Sequence, residues 1–104
     1  MPSTVFSSLS GHETTIRVNG RFNYEVFSRF RAAYLIEGSD RKCSRRLVID
    51  LAGTEYIDSS GMDMLLLMRD EMGRDGASIE IVNLSPEIRN FLEIACFDRL
   101  FKMT

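Results

Sequence analysis

The sequence predicts an α/β domain with a single small mixed β-sheet of four to five strands and about four helices packed on it. Three observations predict it. Two short segments of alternating character, 4–10 and 14–20, flank Gly11 and His12. The run "RLVIDLAG" at 46–53 is almost continuously apolar and rich in β-branched residues. After it, strand-like and helix-like segments alternate to the end of the chain. Such an order within one sheet demands parallel pairing through right-handed crossovers, and the hairpin ahead of it makes the sheet mixed. No repeat, linker or low-complexity block divides the 104 residues. They suit one domain, spanning 1–104, that buries a core without metal or disulfide.

Taken in order, "TVFSSLS" and "TTIRVNG" read as a β-hairpin, the second strand closed by Gly20. "NYEVFSRFRAAYLIEG" has helical spacing at Val26, Phe27, Phe30, Ala33, Tyr34 and Leu35, with Asn23 as N-cap and Gly38 as stop. "RLVIDLAG" reads as the central strand, covered on both faces. A helix over 60–73 follows the "DSS" turn and ends at Gly73, and "ASIEIVNL" at 77–84 alternates as a further strand. Ser85 as N-cap and Pro86 at the first helical position open a helix to about residue 95, with one more turn near 97–101.

Composition narrows the function. A net charge of −2 with 27% charged residues leaves no footprint for direct nucleic-acid binding, and "RKCSRR" at 41–46 reads as a solvated loop. Cys43 and Cys96 with no secretion signal predict reduced thiols in a cytoplasmic protein. The longest apolar run, "MLLLM" at 64–68, is too short for a membrane. Catalysis lacks its parts. His12 sits in a predicted hairpin turn, no G-x-S-x-G elbow surrounds the serines, and no Walker loop, dinucleotide fingerprint or metal-spaced Cys/His set is present. The chain is therefore expected to be no enzyme and to need no cofactor. Asp70 and Glu71, beside Arg69 and Arg74, read as a solvated face.

The distinctive stretch is "EYIDSSGMD" at 55–63. Ser60 as N-cap would accept a bond from the N–H of Asp63, an imitation of a capping box. That explains one serine only. Behind it Gly61, Leu65, Met68 and Met72 line one face of the helix, while Met64 and Leu67 point elsewhere. The pattern favours a helix sandwiched against the sheet, and it also permits an adaptable Met-Leu docking surface beside the turn. A phosphate on a serine here would sit well against the helix N-terminus, sparing the fold, yet would make an apolar contact costly beside Asp58 and Asp63.

"LVIDLAGTEYIDSSGMDMLLLMRDEMGRDGASIEIVNLSPEIRNFLEIACFDRLF" resembles the STAS domain of bacterial anti-sigma factor antagonists, most specifically in "IDSSG", "VNLSPEIRNFLE" and "FDRLF", and "VNGRFNYEVFSRFRAAY" resembles the family's second strand and first helix. The resemblance implies a small non-enzymatic partner-switching module, phosphorylated on the second serine of the turn, Ser60. The kinase would have the ATPase fold of histidine kinases, often doubling as the anti-sigma factor, and a PP2C-type phosphatase would reverse it. The unphosphorylated form would bind that partner, or another signalling protein. By position, Asn23, Asp58, Ser59, Gly61, Met62, Asp63 and Met64 are the candidate partner-binding residues. Two positions depart from the family: Gly61-Met62-Asp63 replaces a frequent Gly-Leu-Gly, and Asn23 stands where an acid is common. The rival expectation is a STAS scaffold in a transport or stress-sensing assembly, with Ser60 only a cap.

Overall fold

The computed structural model describes residues 3–10, 13–35, 46–72 and 78–104. Strands β1 (Thr4–Ser10), β2 (Glu13–Phe22), β3 (Arg46–Asp50), β4 (Thr54–Ile57), β5 (Ser78–Val82) and β6 (Lys102–Met103) form one mixed sheet. Its order is β1-β2-β3-β5-β6, with β4 beside β2. Only β1 and β2 are antiparallel. Three α-helices, α1 (Phe27–Leu35), α2 (Ser59–Met72) and α3 (Pro86–Ile94), are joined by 3₁₀ turns at Tyr24–Val26 and Phe97–Arg99. The α/β mixed-sheet class is as predicted, with one strand more and one α-helix fewer among the described residues. The turn with Gly11 and His12, the stops at Gly38 and Gly73, and Cys43 lie outside the described residues.

Gly20 does not close β2. It sits at φ +89, a backbone conformation costly for residues with a Cβ, within an irregularity where β2 changes partner. Before it, Glu13–Arg17 pairs with β3; from it onward, β2 pairs with β4. The exchange is fastened by the Gly20 N–H to the Gly53 carbonyl at 2.8 Å and the Thr54 hydroxyl to the Val18 carbonyl at 2.6 Å. On the outer side the Arg21 N–H donates to Ser3 Oγ at 3.0 Å. Thr54-Glu55-Tyr56-Ile57 is thus a strand of its own, a segment to which the sequence pattern assigned no element.

The expectation that the central strand is covered on both faces is corrected. Leu47, Ile49 and Leu51 enter the core, together with Ile16 and Val18 of β2, Ile81 of β5, Phe30 and Tyr34 of α1, Leu65 and Met68 of α2, and Leu92 of α3. The opposite face carries charge. Arg46 bridges Glu13 at 3.3 Å and Glu80 at 2.8 Å, and Arg17 meets Asp50 at 3.4 Å. Asn83 donates to Asp50 at 3.1 Å. The Thr104 hydroxyl, and then Arg46, hold the Glu80 carboxyl below the usual carboxylate range. An apolar run on a strand reports one buried face here, because the polar residues between its aliphatics are satisfied by neighbouring strands.

Glu71, read from sequence as solvated, instead ties α2 to α1. It accepts from Arg31 at 3.2 and 2.7 Å and from the Tyr34 hydroxyl. Tyr34 is 1% exposed, so this bond satisfies a phenol that water reaches poorly. Burial first, then Glu71, pushes that phenol above its ordinary range, while Arg31 holds the Glu71 carboxyl below its own. Glu71→Ala is expected to destabilise the fold by about 1–3 kcal/mol by stranding the Tyr34 hydroxyl. Tyr34→Phe, which removes the donor too, should cost less; urea unfolding of the two variants gives the order.

Candidate functional site

The "IDSSG" turn links the end of β4 to the first turn of α2. Asp58 is the residue that caps the helix: its Oδ1 accepts from the Gly61 N–H at 3.0 Å, and its carbonyl accepts from the Met62 N–H at 3.0 Å. The sequence assigned the cap to Ser60 and the bonded amide to Asp63. Both assignments shift toward the N-terminus, because the helix starts at Ser59 and leaves Ser60 within its first turn. There the Ser60 hydroxyl donates to Asp58 Oδ1 at 2.6 Å. That bond is the largest cause holding the Asp58 carboxyl below the usual carboxylate range, against partial burial, with backbone N–H groups of the turn adding to it.

The helix can begin so close to the sheet because residue 61 is glycine. A Cβ there would lie 2.2 Å from the Phe22 carbonyl oxygen and 2.8 Å from Ile57 Cγ1. Gly61 is therefore buried in the joint between α2 and the ends of β2 and β4, an anchor of the turn in place of a surface contact.

The two serines face different ways. Ser60 lines a groove of about 340 Å³ with Tyr24, Phe27, Asp63, Met64 and Leu67. Ser59 faces a second groove between β4 and α3. Of the residues predicted to meet a partner, Asp63 and Met64 converge with Ser60, the predicted phosphorylation site, on the first groove, and Asp58 and Ser59 on the second. Met64 shows only its edge there, being otherwise in the core, which settles the sandwiched-helix question for that side chain. Met62 is partly buried against the core. Asn23 lines neither groove. It is 8% exposed, and its Oδ1 caps the 3₁₀ turn by accepting from the Glu25 N–H at 3.0 Å. Its effect on the surface is indirect, through Tyr24.

Tyr24 and Phe27 are the wall residues that sequence reasoning missed. Tyr24 is 75% exposed and Phe27 about half as much. Phe27 has helical spacing with Phe30 and Tyr34, yet it is exposed where the 3₁₀ turn at Tyr24–Val26 leads into α1. The available signal was their three-residue spacing, which puts both rings on one side of the turn. Asp63, exposed on the same wall, and Asp58 behind Ser60 give the apolar groove a negative end.

Against this geometry, a family model described as "Mlab, STAS domain" matches residues 5–103. A STAS-domain containing protein of Pseudomonas aeruginosa (strain UCBPP-PA14) is 42% identical over 106 aligned positions that span 100% of both chains. The structure of an antisigma-factor antagonist STAS domain from Rhodobacter sphaeroides superposes with a TM-score of 0.61 at 31% identity, over 78% of this chain and 86% of that one. SpoIIAA, a Bacillus cell fate determinant, solved in its phosphorylated form, gives 0.74 at 15% identity, over 97% and 91%, a likeness of fold alone.

Two outcomes test the turn. Gly61→Ala should destabilise the domain by about 1–3 kcal/mol, because the obstructing Phe22 oxygen belongs to backbone and α2 must move; chemical denaturation reads the loss. Ser60→Ala should raise the Asp58 pKa, followed by carboxyl-carbon NMR. A carboxyl depressed in the folded state adds stability above its unfolded pKa and loses it as pH falls through the folded one. The stability difference between wild type and Ser60→Ala should therefore narrow on acidification.

Proposed function

The chain belongs to the STAS domain family, and from that premise we propose that it is a non-enzymatic partner-switching regulator of the anti-sigma factor antagonist type, acting in the cytoplasm. A kinase or anti-sigma factor of the histidine-kinase ATPase fold, or another signalling protein, docks on the groove beside Ser60. Phosphorylation of Ser60 removes the contact, and a PP2C-type phosphatase restores it.

The observation that carries this reading is the position of the Ser60 hydroxyl. It lies on the wall of an apolar groove, in the first turn of a 14-residue helix, and is hydrogen-bonded to a carboxylate. A phosphate on that oxygen brings roughly −1.5 to −2 charges. The ester oxygen can no longer donate to Asp58, so attraction at 2.6 Å becomes repulsion between two anions. The phosphate is driven outward past Asp63, into the space a partner's apolar side chains would fill. The helix tolerates it, since the macrodipole favours negative charge at its start. Burying the dianion under a partner is what becomes unfavourable.

Incubation with the cognate kinase and ATP, followed by mass spectrometry, should find phosphate on Ser60; modification elsewhere, or none, removes the site assignment. Partner binding should persist in Ser60→Ala and weaken in Ser60→Asp, measured by calorimetry. Equal affinities would leave a non-switching STAS scaffold as the better account.

A further inference from the structure

The second groove, on the Ser59 side of the turn, has a volume of about 400 Å³ and lies between β4 and α3. Its base is formed by Ile57 and Ile88, both nearly buried, and its walls by the half-exposed rings of Tyr56 and Phe91. Ile94 follows Phe91 by three residues on α3 and is 73% exposed, so the apolar strip continues past the groove along the same side of the helix. The fold has no use for this strip, because α3 already buries Ile88 and Leu92 toward the core.

The groove's charge is of one sign. Glu55, Asp58 and Glu87 stand around it, and among the described residues no cation lines it. Neither Glu55 nor Glu87 forms an ion pair within the described residues. Asp58 is held in its charged form by the turn. Three carboxylates around a strip of two aromatic rings and an isoleucine define the complement: an apolar ridge flanked by cations. Phe91 and Ile94, three residues apart on α3, present a ridge to which a second helix can pack.

We propose that the β4–α3 groove is a docking site for a basic amphipathic helix of a partner protein, whose apolar side covers Tyr56, Phe91 and Ile94 while its Lys or Arg side chains reach Glu55, Asp58 and Glu87. The site shares Asp58 with the serine turn, but its other lining residues are not those of the Ser60 groove, so its apolar contact does not depend on phosphorylation. A partner spanning the turn would hold both grooves at once, one contact switched and the other constant, and the constant contact would keep partner and switch together at high local concentration.

The test uses two peptides of helical period and about four turns, one of Leu and Lys, one of Leu and Glu, titrated at low ionic strength into the isotope-labelled full chain. The Leu/Lys peptide should shift the amides of 55–59 and 87–94 saturably and bind at least about tenfold more tightly than the Leu/Glu peptide, an advantage that shrinks as salt is added. The double variant Glu55→Lys/Glu87→Lys, whose retained fold is read from the same spectra, should lose that advantage. Ser60→Asp should leave the affinity within about twofold, so a failure here is distinct from a failure of the Ser60 switch. Equal binding of the two peptides, no saturable shift, shifts centred on Tyr24 and Phe27, or an unaffected double variant would each overturn the proposal.

Discussion

The geometry of this domain turns on the change of partner by β2 at Gly20. Because β2 releases β3 after Arg17 and takes up β4 at Gly20, the ends of β2 and β4 arrive side by side. Phe22 then leads into the 3₁₀ turn bearing Tyr24, while Ile57 leads into the serine turn. The Ser60 groove lies between these two exits. Its walls are placed by backbone pairing, so their separation is set by the sheet and not by the side chains that line it.

A second constraint fixes the height of α2. Gly61 permits the helix to start against the Phe22 carbonyl, Asp58 supplies the first capping bond, and Glu71 holds the other end to α1. Polar groups thereby do what the apolar stripe does not. Leu65 and Met68 press the helix on the sheet, but the hydrophobic contact is non-directional. The cap, the glycine contact and the Glu71 bonds decide where along the sheet it stops.

The sequence was most legible where its pattern is periodic. The hairpin, the apolar central strand, the Ser85–Pro86 helix start and the mixed α/β class all follow from alternation and capping chemistry. Boundaries set by tertiary pairing were harder. Gly20 looks like a stop until its Gly53 partner is seen, and Thr54–Ile57, four residues long, carries too little pattern to be read as a strand. Cap identity moved from Ser60 to Asp58 because both have good acceptors, and only backbone geometry decides between them. Glu71 looked solvated beside basic neighbours, since a bond across 37 residues to Tyr34 leaves no trace in local spacing. At the site, the serine turn stood out at once, whereas Tyr24 and Phe27 emerged only when the 3₁₀ turn showed which way they face.

The clamp at Glu71 also bears on time. It holds the end of α2 remote from the serine turn, while the joint at Gly61 is packed too closely for even a Cβ. A charge added at Ser60 therefore meets a helix held at both ends. A switch made this way would have no latch and keep no memory. Under the switch proposed for Ser60, the state at any moment would be the occupancy of one oxygen, and the response would be as fast, and as graded, as the enzymes that write and erase the mark.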